Sequence, residues 1–208
     1  MMQRFMIYFF AIFLCSVPLT ASAGDKGLYA KKPPADAAFF RVLNASDNSA
    51  LKVLLDGEKL VTVAPLRVSG YGFTVSSVFN LTLNGKTISV PATAKSMITL
   101  VWNGQDYFTV AEETFSSKKK ARLKIFNVGT KPVSLKTADG KTTVIEKVPS
   151  RHYGYRDVNA LNMSFAFYTG DAKLLATEKI SLQKGRVTTL FLVNNGSIPL
   201  YVQTEEQR

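Results

Sequence analysis

The stretch that decides the fold is ARLKIFNVGTKPVSLKTADGKTTVIEKVPSRHYG, residues 121–154, because much of it occurs twice in the chain. A related stretch, AFFRVLNASDNSALKVLLDGEKLVTVAPLRVSGYG, begins 83 positions earlier at residue 38. Four matches recur in the same order, the third after a one-residue gap: Asn44 with Asn127, Asp56-Gly57 with Asp139-Gly140, Tyr71-Gly72 with Tyr153-Gly154, and an Asn-Gly pair at 103–104 with another at 195–196. Such ordered self-similarity indicates a duplicated domain.

Both copies have the residue pattern of β-strands. Apolar and polar residues alternate on both sides of Asn84-Gly85, which predicts a hairpin with one buried and one exposed face. Asp56-Gly57 and Asn103-Gly104 are two-residue hairpin signals of the same kind. Strands are predicted at 39–43, 51–55, 60–63, 79–83, 87–90, 97–102 and 107–110, and again at 121–126, 133–137, 143–148, 161–168, 174–182, 187–193 and 200–202. Strands this short and frequent are typical of a sandwich or small barrel, so we predict an all-β protein of two tandem, similar antiparallel β-sandwich domains.

The segments outside the strands define the predicted domain bounds. Arg4, the apolar run 5–17 and the cleavage pattern Ala21-Ser22-Ala23 predict a cleavable secretory signal peptide at 1–23, and hence an exported protein. The single cysteine, Cys15, lies within that signal, so the mature chain is predicted to contain no cysteine. The remaining predicted segments are a flexible arm at 24–37, domain 1 at 38–113, an exposed linker at 114–120, domain 2 at 121–203 and a polar tail at 204–208.

Positive charge is concentrated in the second half of the chain. The formal net charge is +11; residues 24–115 contain 9 Lys/Arg against 8 Asp/Glu, and residues 116–208 contain 16 against 7. This asymmetry indicates an acidic partner: nucleic acid, anionic lipid, a polyanionic polysaccharide or an acidic protein surface. The predicted export argues against nucleic acid, and no nucleic-acid recognition motif is present.

The sequence lacks the residue constellations of the common hydrolases and transferases. The one histidine, His152, has proline in place of the aspartate of a D-x-x-H pattern, and Gly170-Asp171-Ala172 has alanine in place of a nucleophilic serine. Of the paired carboxylates, Glu112-Glu113 begin the polar junction at 112–120, which overlaps the end of domain 1, and Glu205-Glu206 lie in the tail, so neither pair is a good candidate for catalysis. We therefore predict no enzyme activity, no catalytic residue, no metal site and no cofactor.

The residues predicted to bind a partner or a polyanion lie at the junction and in the second copy. They are Lys118, Lys119, Lys120, Arg122, Arg151, Tyr153, Tyr155 and Arg156. The aromatic-glycine segments, Tyr71-Gly72-Phe73 and Tyr153-Gly154-Tyr155, also have a purely structural interpretation as a tight bend with a tyrosine packed over it. The sequence favours the structural interpretation for these segments.

Several short blocks along the chain carry a family resemblance. They are Leu28-Tyr29 with the FFRVLN block at 39–44, the LKTADGKT block at 135–142, Phe167-Tyr168 with the Thr-Gly-Asp that follows, and the run containing Leu182, Gly185 and Leu190. These blocks resemble the AlgF family of periplasmic alginate O-acetylation proteins. The resemblance extends over essentially the whole mature chain. It implies a two-domain all-β periplasmic protein without acyltransferase residues of its own.

The resemblance also implies a role and partners. The expected function is that of a non-enzymatic adaptor for exopolysaccharide O-acetylation, working beside SGNH-type periplasmic acetyltransferases and a membrane-bound O-acyltransferase. The alternatives are a module that binds the anionic polysaccharide directly, the equivalent accessory protein of a cellulose acetylation system, and an envelope chaperone that uses an open strand edge. Exposed aromatic stripes would favour direct binding of the polysaccharide, whereas apolar patches without them would favour the adaptor.

Overall fold

The computed structural model describes residues 33–195 and 198–207, and every regular element in this part of the chain is a β-strand. The first half contains β1 (Ala38–Asn44), β2 (Leu51–Leu55), β3 (Glu58–Val63), β4 (Arg67–Val68), β5 (Gly72–Thr74), β6 (Val78–Leu83), β7 (Lys86–Pro91), β8 (Met97–Trp102) and β9 (Tyr107–Glu112). The second half contains β10 (Ala121–Asn127), β11 (Val133–Thr137), β12 (Thr143–Val148), β13 (Tyr153–Val158), β14 (Leu161–Met163), β15 (Phe165–Thr169), β16 (Ala172–Ala176), β17 (Ile180–Leu182), β18 (Arg186–Asn195) and β19 (Ile198–Gln207). Within these residues no helix has the length and apolar character needed to cross a membrane.

The two halves have the same sheet topology, which confirms the predicted pair of similar sandwiches. In the first, a sheet of order β4-β1-β8-β9, with β5 also paired to β1, faces a sheet of order β3-β2-β6-β7. In the second, β13-β10-β18-β19 faces β12-β11-β15-β16. The pairs β1–β8 and β10–β18 are parallel, so the sheets are not antiparallel throughout as predicted. Each parallel pair follows from a crossover, because the chain builds the opposite sheet before returning in the same direction.

Each sandwich has its own core, and a third apolar cluster lies between the sandwiches. Phe40, Leu81 and Leu100 belong to the first core, and Leu123 and Leu190 belong to the second. The third cluster contains residues from both halves: Leu43, Ala45, Val101, Val110, Phe126, Phe191, Val193 and Val202. The outer faces of the sheets containing β1 and β10 therefore pack against each other.

Packing between the sandwiches changes the burial of the central strands. All six residues of β8 and all seven of β10 are buried, although alternation predicted one exposed face. The near-continuous apolar run of β8 is the pattern of a strand covered on both sides. In β10 the burial includes Arg122 and Lys124.

The asparagine that recurs in the two copies joins the two sheets of each sandwich. The Asn127 side-chain amide donates to the carbonyls of Lys131 at 2.7 Å and Val148 at 3.0 Å, and its oxygen accepts from the Gly129 amide at 3.0 Å. Asn44 makes the equivalent three bonds in the first sandwich. Both side chains are buried, so these bonds satisfy polar groups that would otherwise be costly.

Two of the three hairpin predictions are confirmed. Asp56-Gly57 and Asn84-Gly85 are two-residue turns with positive φ at both positions, the conformation that a type I′ turn requires. The third is wrong, because Trp102 pairs with Tyr107 and leaves a four-residue loop. In that loop the Asn103 side chain accepts from the amides of Gln105 and Asp106.

The aromatic-glycine segments are strands rather than the predicted tight bends. β5 and β13 each pair antiparallel with the central strand beside them. Glycine is needed in β13 for close packing and not for a turn, because a Cβ on Gly154 would lie 2.7 Å from Val148 Cγ2 and 2.8 Å from Ile145 Cγ2.

The second sandwich carries a small addition that the first lacks. The predicted strands 161–168 and 174–182 are each divided, and β14 and β17 pair only with each other; we call this pair the β14–β17 ribbon. The connection between β15 and β16 is a tight turn, since Thr169 pairs with Ala172. The additional residues of the second copy therefore lie on both sides of the β15–β16 hairpin.

The predicted segments at the domain ends also differ from the structure. Residues 204–207, predicted as a tail, continue β19, because ten residues of this strand pair with β18. Glu112 and Phe115, in the predicted junction, are both buried. The predicted arm ends in a turn in which Ala37 is buried. The predicted signal peptide with Cys15, arm residues 24–32, and part of the predicted Asn-Gly turn at 195–196 lie outside the described residues.

Candidate functional site

The interface between the sandwiches contains four charged side chains, which we call the charge cluster: Arg41, Glu112, Lys124 and Glu206. Glu112 accepts hydrogen bonds from Arg41 Nη2 at 3.2 and 3.3 Å and from Lys124 Nζ at 2.5 Å. Arg41 also bonds the Glu206 carboxylate, and Thr99 bonds Glu112. Two cations and two carboxylates thus link β1 and β9 of the first sandwich to β10 and β19 of the second.

Aromatic rings surround the Arg41 guanidinium in the same interface. Its central carbon lies 4.9 Å from the ring centre of Tyr71, 5.1 Å from that of Phe191 and 5.8 Å from that of Phe126. Contacts of this kind stabilise a cation that has lost its water. Tyr71 Oη also donates to Glu206 at 3.2 Å. The burial of Arg41, which is 1% exposed, is therefore compensated by carboxylates and by ring faces.

Burial and neighbouring charges together determine whether the pKa of each group in the charge cluster is raised or lowered. Burial raises the pKa of Glu112, but the attraction of Arg41 and Lys124 outweighs it and the net direction is downward. Burial lowers the pKa of Arg41, and Glu112 with its other partners more than reverses this. Burial also lowers the pKa of Lys124, and Glu112 offsets this only in part. Lys124 shares its carboxylate with Arg41, which repels it, whereas Glu112 interacts with two cations.

The charge cluster uses equivalent positions of the two repeats. Arg41 lies beside Thr99 on the parallel neighbour β8, and Lys124 lies beside Thr189 on β18. Glu112 pairs with the residue two before Thr99, and Glu206 pairs with the residue two before Thr189. The interface therefore has an approximate two-fold symmetry, in which similar faces pack on each other.

Three of the predicted binding residues face the first sandwich. Tyr153 Oη accepts from the Glu113 amide at 2.8 Å, and the Tyr155 hydroxyl bonds the Glu113 carboxylate. The Arg151 guanidinium lies 5.5 Å from the ring centre of Phe108. These side chains contact their own chain.

Arg122, also predicted as a binding residue, is held within the protein. It donates to both carboxylate oxygens of Asp157, at 2.7 and 3.0 Å, and to the Thr114 carbonyl at 3.2 Å. Its guanidinium lies 3.9 Å from the ring centre of Tyr155. The hydrogen bonds that Arg122 donates to Asp157 raise the pKa of Arg122. The Arg122 side chain thus anchors β10 and the end of the junction.

The other predicted cations are exposed. Lys118, Lys119 and Lys120 form a continuous basic surface next to β10, and Lys120 Nζ donates to Asn159 Oδ1 at 2.8 Å. Arg156 is exposed on β13 and donates to the carbonyls of residues 143 and 144. The structure thus separates the predicted residues into an internal group and an external lysine group, and a binding role for either remains a prediction.

His152 lies on the surface and is held by its own loop. Its Nδ1 is 2.8 Å from the Ser150 carbonyl oxygen. Asp171 forms part of the exposed turn between β15 and β16. Among residues 33–195 and 198–207, no three histidine, cysteine or carboxylate side chains group as the ligands of a metal would.

Sequence reasoning missed the charge cluster, although a signal for it was present. Arg41 and Lys124 are cations at the same position of each repeat, within strands that are mostly apolar. A charged residue in that setting is buried only when it has a partner. The sequence alone places their partners, Glu112 and Glu206, in the junction and the tail.

The fold and the site define a class of protein with two β-sandwiches whose equivalent faces are joined by buried ion pairs. Residues 11–189 match the family model described as "Alginate O-acetyl transferase AlgF". The chain belongs to the AlgF family, which confirms the resemblance found in its sequence.

Relatives of this chain share most of its length. The alginate biosynthesis protein AlgF of Pseudomonas fluorescens is 34% identical over 182 residues, covering 87% of this chain and 83% of the relative. AlgF of Pseudomonas aeruginosa is 31% identical over 196 residues, covering 93% and 90%. Separate structures of two domains of the P. aeruginosa protein also match. The C-terminal domain has a TM-score of 0.40 at 29% identity over 43% of this chain and 100% of that domain, and the N-terminal domain has 0.35 at 28% over 39% and 100%.

Proposed function

We propose that this protein is a non-enzymatic periplasmic adaptor required for O-acetylation of an exopolysaccharide, alginate in the first instance. In this role it bridges SGNH-type periplasmic acetyltransferases and the membrane-bound O-acyltransferase of the same pathway. Family membership and the names of its relatives support the pathway. The predicted export signal supports the compartment.

The proposal of a non-enzymatic role rests on the contacts that the buried ionisable groups make. General acid–base catalysis needs a group with a shifted pKa that can reach a substrate. Here Arg41 and Lys124 both bond to Glu112 at the centre of an interface between the two sandwiches. A perturbed pKa in this setting serves assembly. Because the matching family is described as a transferase, the proposed lack of enzyme activity is the part to test directly.

The surface of the protein also favours an adaptor over a module that binds the polymer directly. The aromatic side chains Phe191, Phe126, Tyr153 and Tyr155 form a stacked row with centroid separations of 4.8, 5.4 and 6.2 Å, but this row begins inside the interface. Of its members only Tyr155 is exposed, and it is bound to Glu113. The other exposed large apolar side chains of the described residues are aliphatic: Leu60, Val75, Val78 and Leu174.

A deletion strain, complemented with the intact gene, tests the pathway role. Polymer yield and O-acetyl content are measured separately, and the expected result is a normal yield of polymer with little O-acetyl. Loss of polymer with normal acetylation of what remains would contradict the assignment.

Purified protein tests the non-enzymatic part. It is incubated with an activated acetyl donor and with acetylated polymer, beside the variant His152→Ala. We expect no transfer and no hydrolysis from either. Acetyl transfer or hydrolysis by the natural protein that His152→Ala abolishes would establish an enzyme.

A further inference from the structure

The β14–β17 ribbon presents a polar outer face. Ile180 and Leu182 are buried in the second core, whereas Ser181 between them is exposed. Asn162, directly opposite Ser181, is also exposed. Each strand of the ribbon pairs only with the other, so one backbone edge of each is outside any ladder of the described residues. The first sandwich, whose strands are all described, has no counterpart.

The junction lysines lie at one end of this ribbon. The Gly185 amide, just after β17, donates to the Lys120 carbonyl at 2.8 Å. Lys120 Nζ donates to Asn159, just before β14, at 2.8 Å. Lys184 is exposed at the same end. We call Lys118, Lys119, Lys120 and Lys184 the lysine corner.

The positive charges of the lysine corner are not neutralised locally. None of its four members takes part in an ion pair of the described residues. Asp157, two residues before Asn159, is already bonded to Arg122. Like charges held together in this way attract acidic partners and accelerate their association.

The backbone edge beside the lysine corner favours a peptide over a polysaccharide as the occupant. An exposed strand edge offers N–H and C=O groups at the spacing of an extended peptide, which can add to it as a further strand. A polysaccharide has no peptide backbone to form such a ladder. The exposed aromatic side chain, Tyr155, lies on β13 and is engaged by Glu113 and Arg122. We propose that the β14–β17 ribbon and the lysine corner form the docking surface for an extended acidic segment of a partner protein, an inference that rests on the proposed adaptor function.

The test compares two triple variants of the full-length mature protein. The first, K118E/K119E/K184E, reverses the lysine corner. The control, K59E/K131E/K141E, makes the same change of net charge at exposed lysines elsewhere that also lack ion pairs. Unchanged thermal unfolding of both, followed by the fluorescence of the buried Trp102, shows that neither has lost its fold.

Three probes identify the occupant by fluorescence anisotropy. They are a labelled peptide of about twelve alternating Glu and Thr residues, the same peptide N-methylated at every second residue, and a uronate oligosaccharide of equal charge. We expect the plain peptide to bind the natural and control proteins alike and to bind K118E/K119E/K184E about tenfold more weakly at low salt, with the difference shrinking at high salt. N-methylation should weaken binding, because it removes backbone donors.

Each contrary result removes a definite part of the inference. Equal binding by the two variants overturns the surface, equal binding of the N-methylated peptide overturns strand addition, and stronger binding of the uronate assigns the surface to the polymer instead. In cells, a deletion strain with normal O-acetyl content would refute the adaptor function itself. A deletion that lowers O-acetyl content but is fully complemented by K118E/K119E/K184E would refute the docking surface alone.

Discussion

Replacing Glu112 with glutamine removes one negative charge from the charge cluster with almost no change of shape. In the natural protein this carboxylate accepts from Arg41 at 3.2 Å and from Lys124 at 2.5 Å. After the substitution Arg41 retains Glu206, but the Lys124 ammonium, 1% exposed, loses the carboxylate with which it is ion-paired and keeps only the longer-range attraction of Glu206. The variant therefore buries a positive charge that has no ion-pair partner.

The expected loss of stability is large for a single substitution. Removing one partner of a buried ion pair costs about 3–5 kcal/mol. Because the glutamine oxygen still accepts one hydrogen bond, we expect a value near the lower end, about 3 kcal/mol. Urea unfolding followed by Trp102 fluorescence and by far-ultraviolet circular dichroism measures it.

Two controls separate the buried charge from a general effect of the substitution. Glu146→Gln removes a carboxylate from the exposed face of β12 and should change the free energy of unfolding by less than about 0.5 kcal/mol. E112Q/K124M removes the buried ammonium as well and should be more stable than E112Q alone, since no unpaired charge remains. An E112Q protein as stable as the natural one would refute the reasoning. So would an E112Q/K124M protein whose loss of stability equals the sum of the losses in E112Q and K124M measured separately.

Three further predictions concern pH, packing and charge. Burial raises the pKa of Glu112, but Arg41 and Lys124 bring it below its ordinary value of 4.5. The stabilisation by the ionised carboxylate is therefore complete above about pH 4.5 and is lost as the pH falls further. Below this pH the thermal midpoint of the natural protein should fall more steeply with pH than that of E112Q, and parallel curves would contradict this. Gly154→Ala should lower the free energy of unfolding in urea by about 1–3 kcal/mol, because the added Cβ has no space. Gly70→Ala should be nearly neutral, because a Cβ there would have no atom within 4 Å. Equal losses of stability would argue against packing as the reason. Reversing Lys118–Lys120 to glutamate should weaken pull-down of the acetyltransferases more at low salt than at high salt, and an unchanged pull-down and polymer acetylation would remove the electrostatic role of the junction.

Local sequence signals were sufficient for most of the fold. The strand predictions at 51–55 and 97–102 agree with β2 and β8, because β-branched and apolar runs there are bounded by strong turn signals. The matching asparagines and glycines indicated the duplication. These features depend on neighbours in the chain, which a sequence displays directly.

The features that sequence reasoning missed depend on distant residues. The sequence predicts Arg122 as a binding residue and gives no role to Lys124; the burial of both depends on Asp157 and Glu112, which only the fold brings to them. The run 161–168 has no internal breaker, yet it divides at Ser164 because its two parts join different sheets. Burial on both faces of β10 likewise requires the first sandwich to be in place.

The approximate two-fold symmetry of the interface has a consequence for stoichiometry. Faces that recognise their own counterpart would ordinarily form a dimer of separate chains, whose population falls on dilution. With both copies on one chain, a short tether sets their effective concentration, and the assembly is independent of protein abundance. Each copy can also diverge separately, as Arg41 and Lys124 have done at equivalent positions, while the ratio of the two sandwiches stays fixed at one to one.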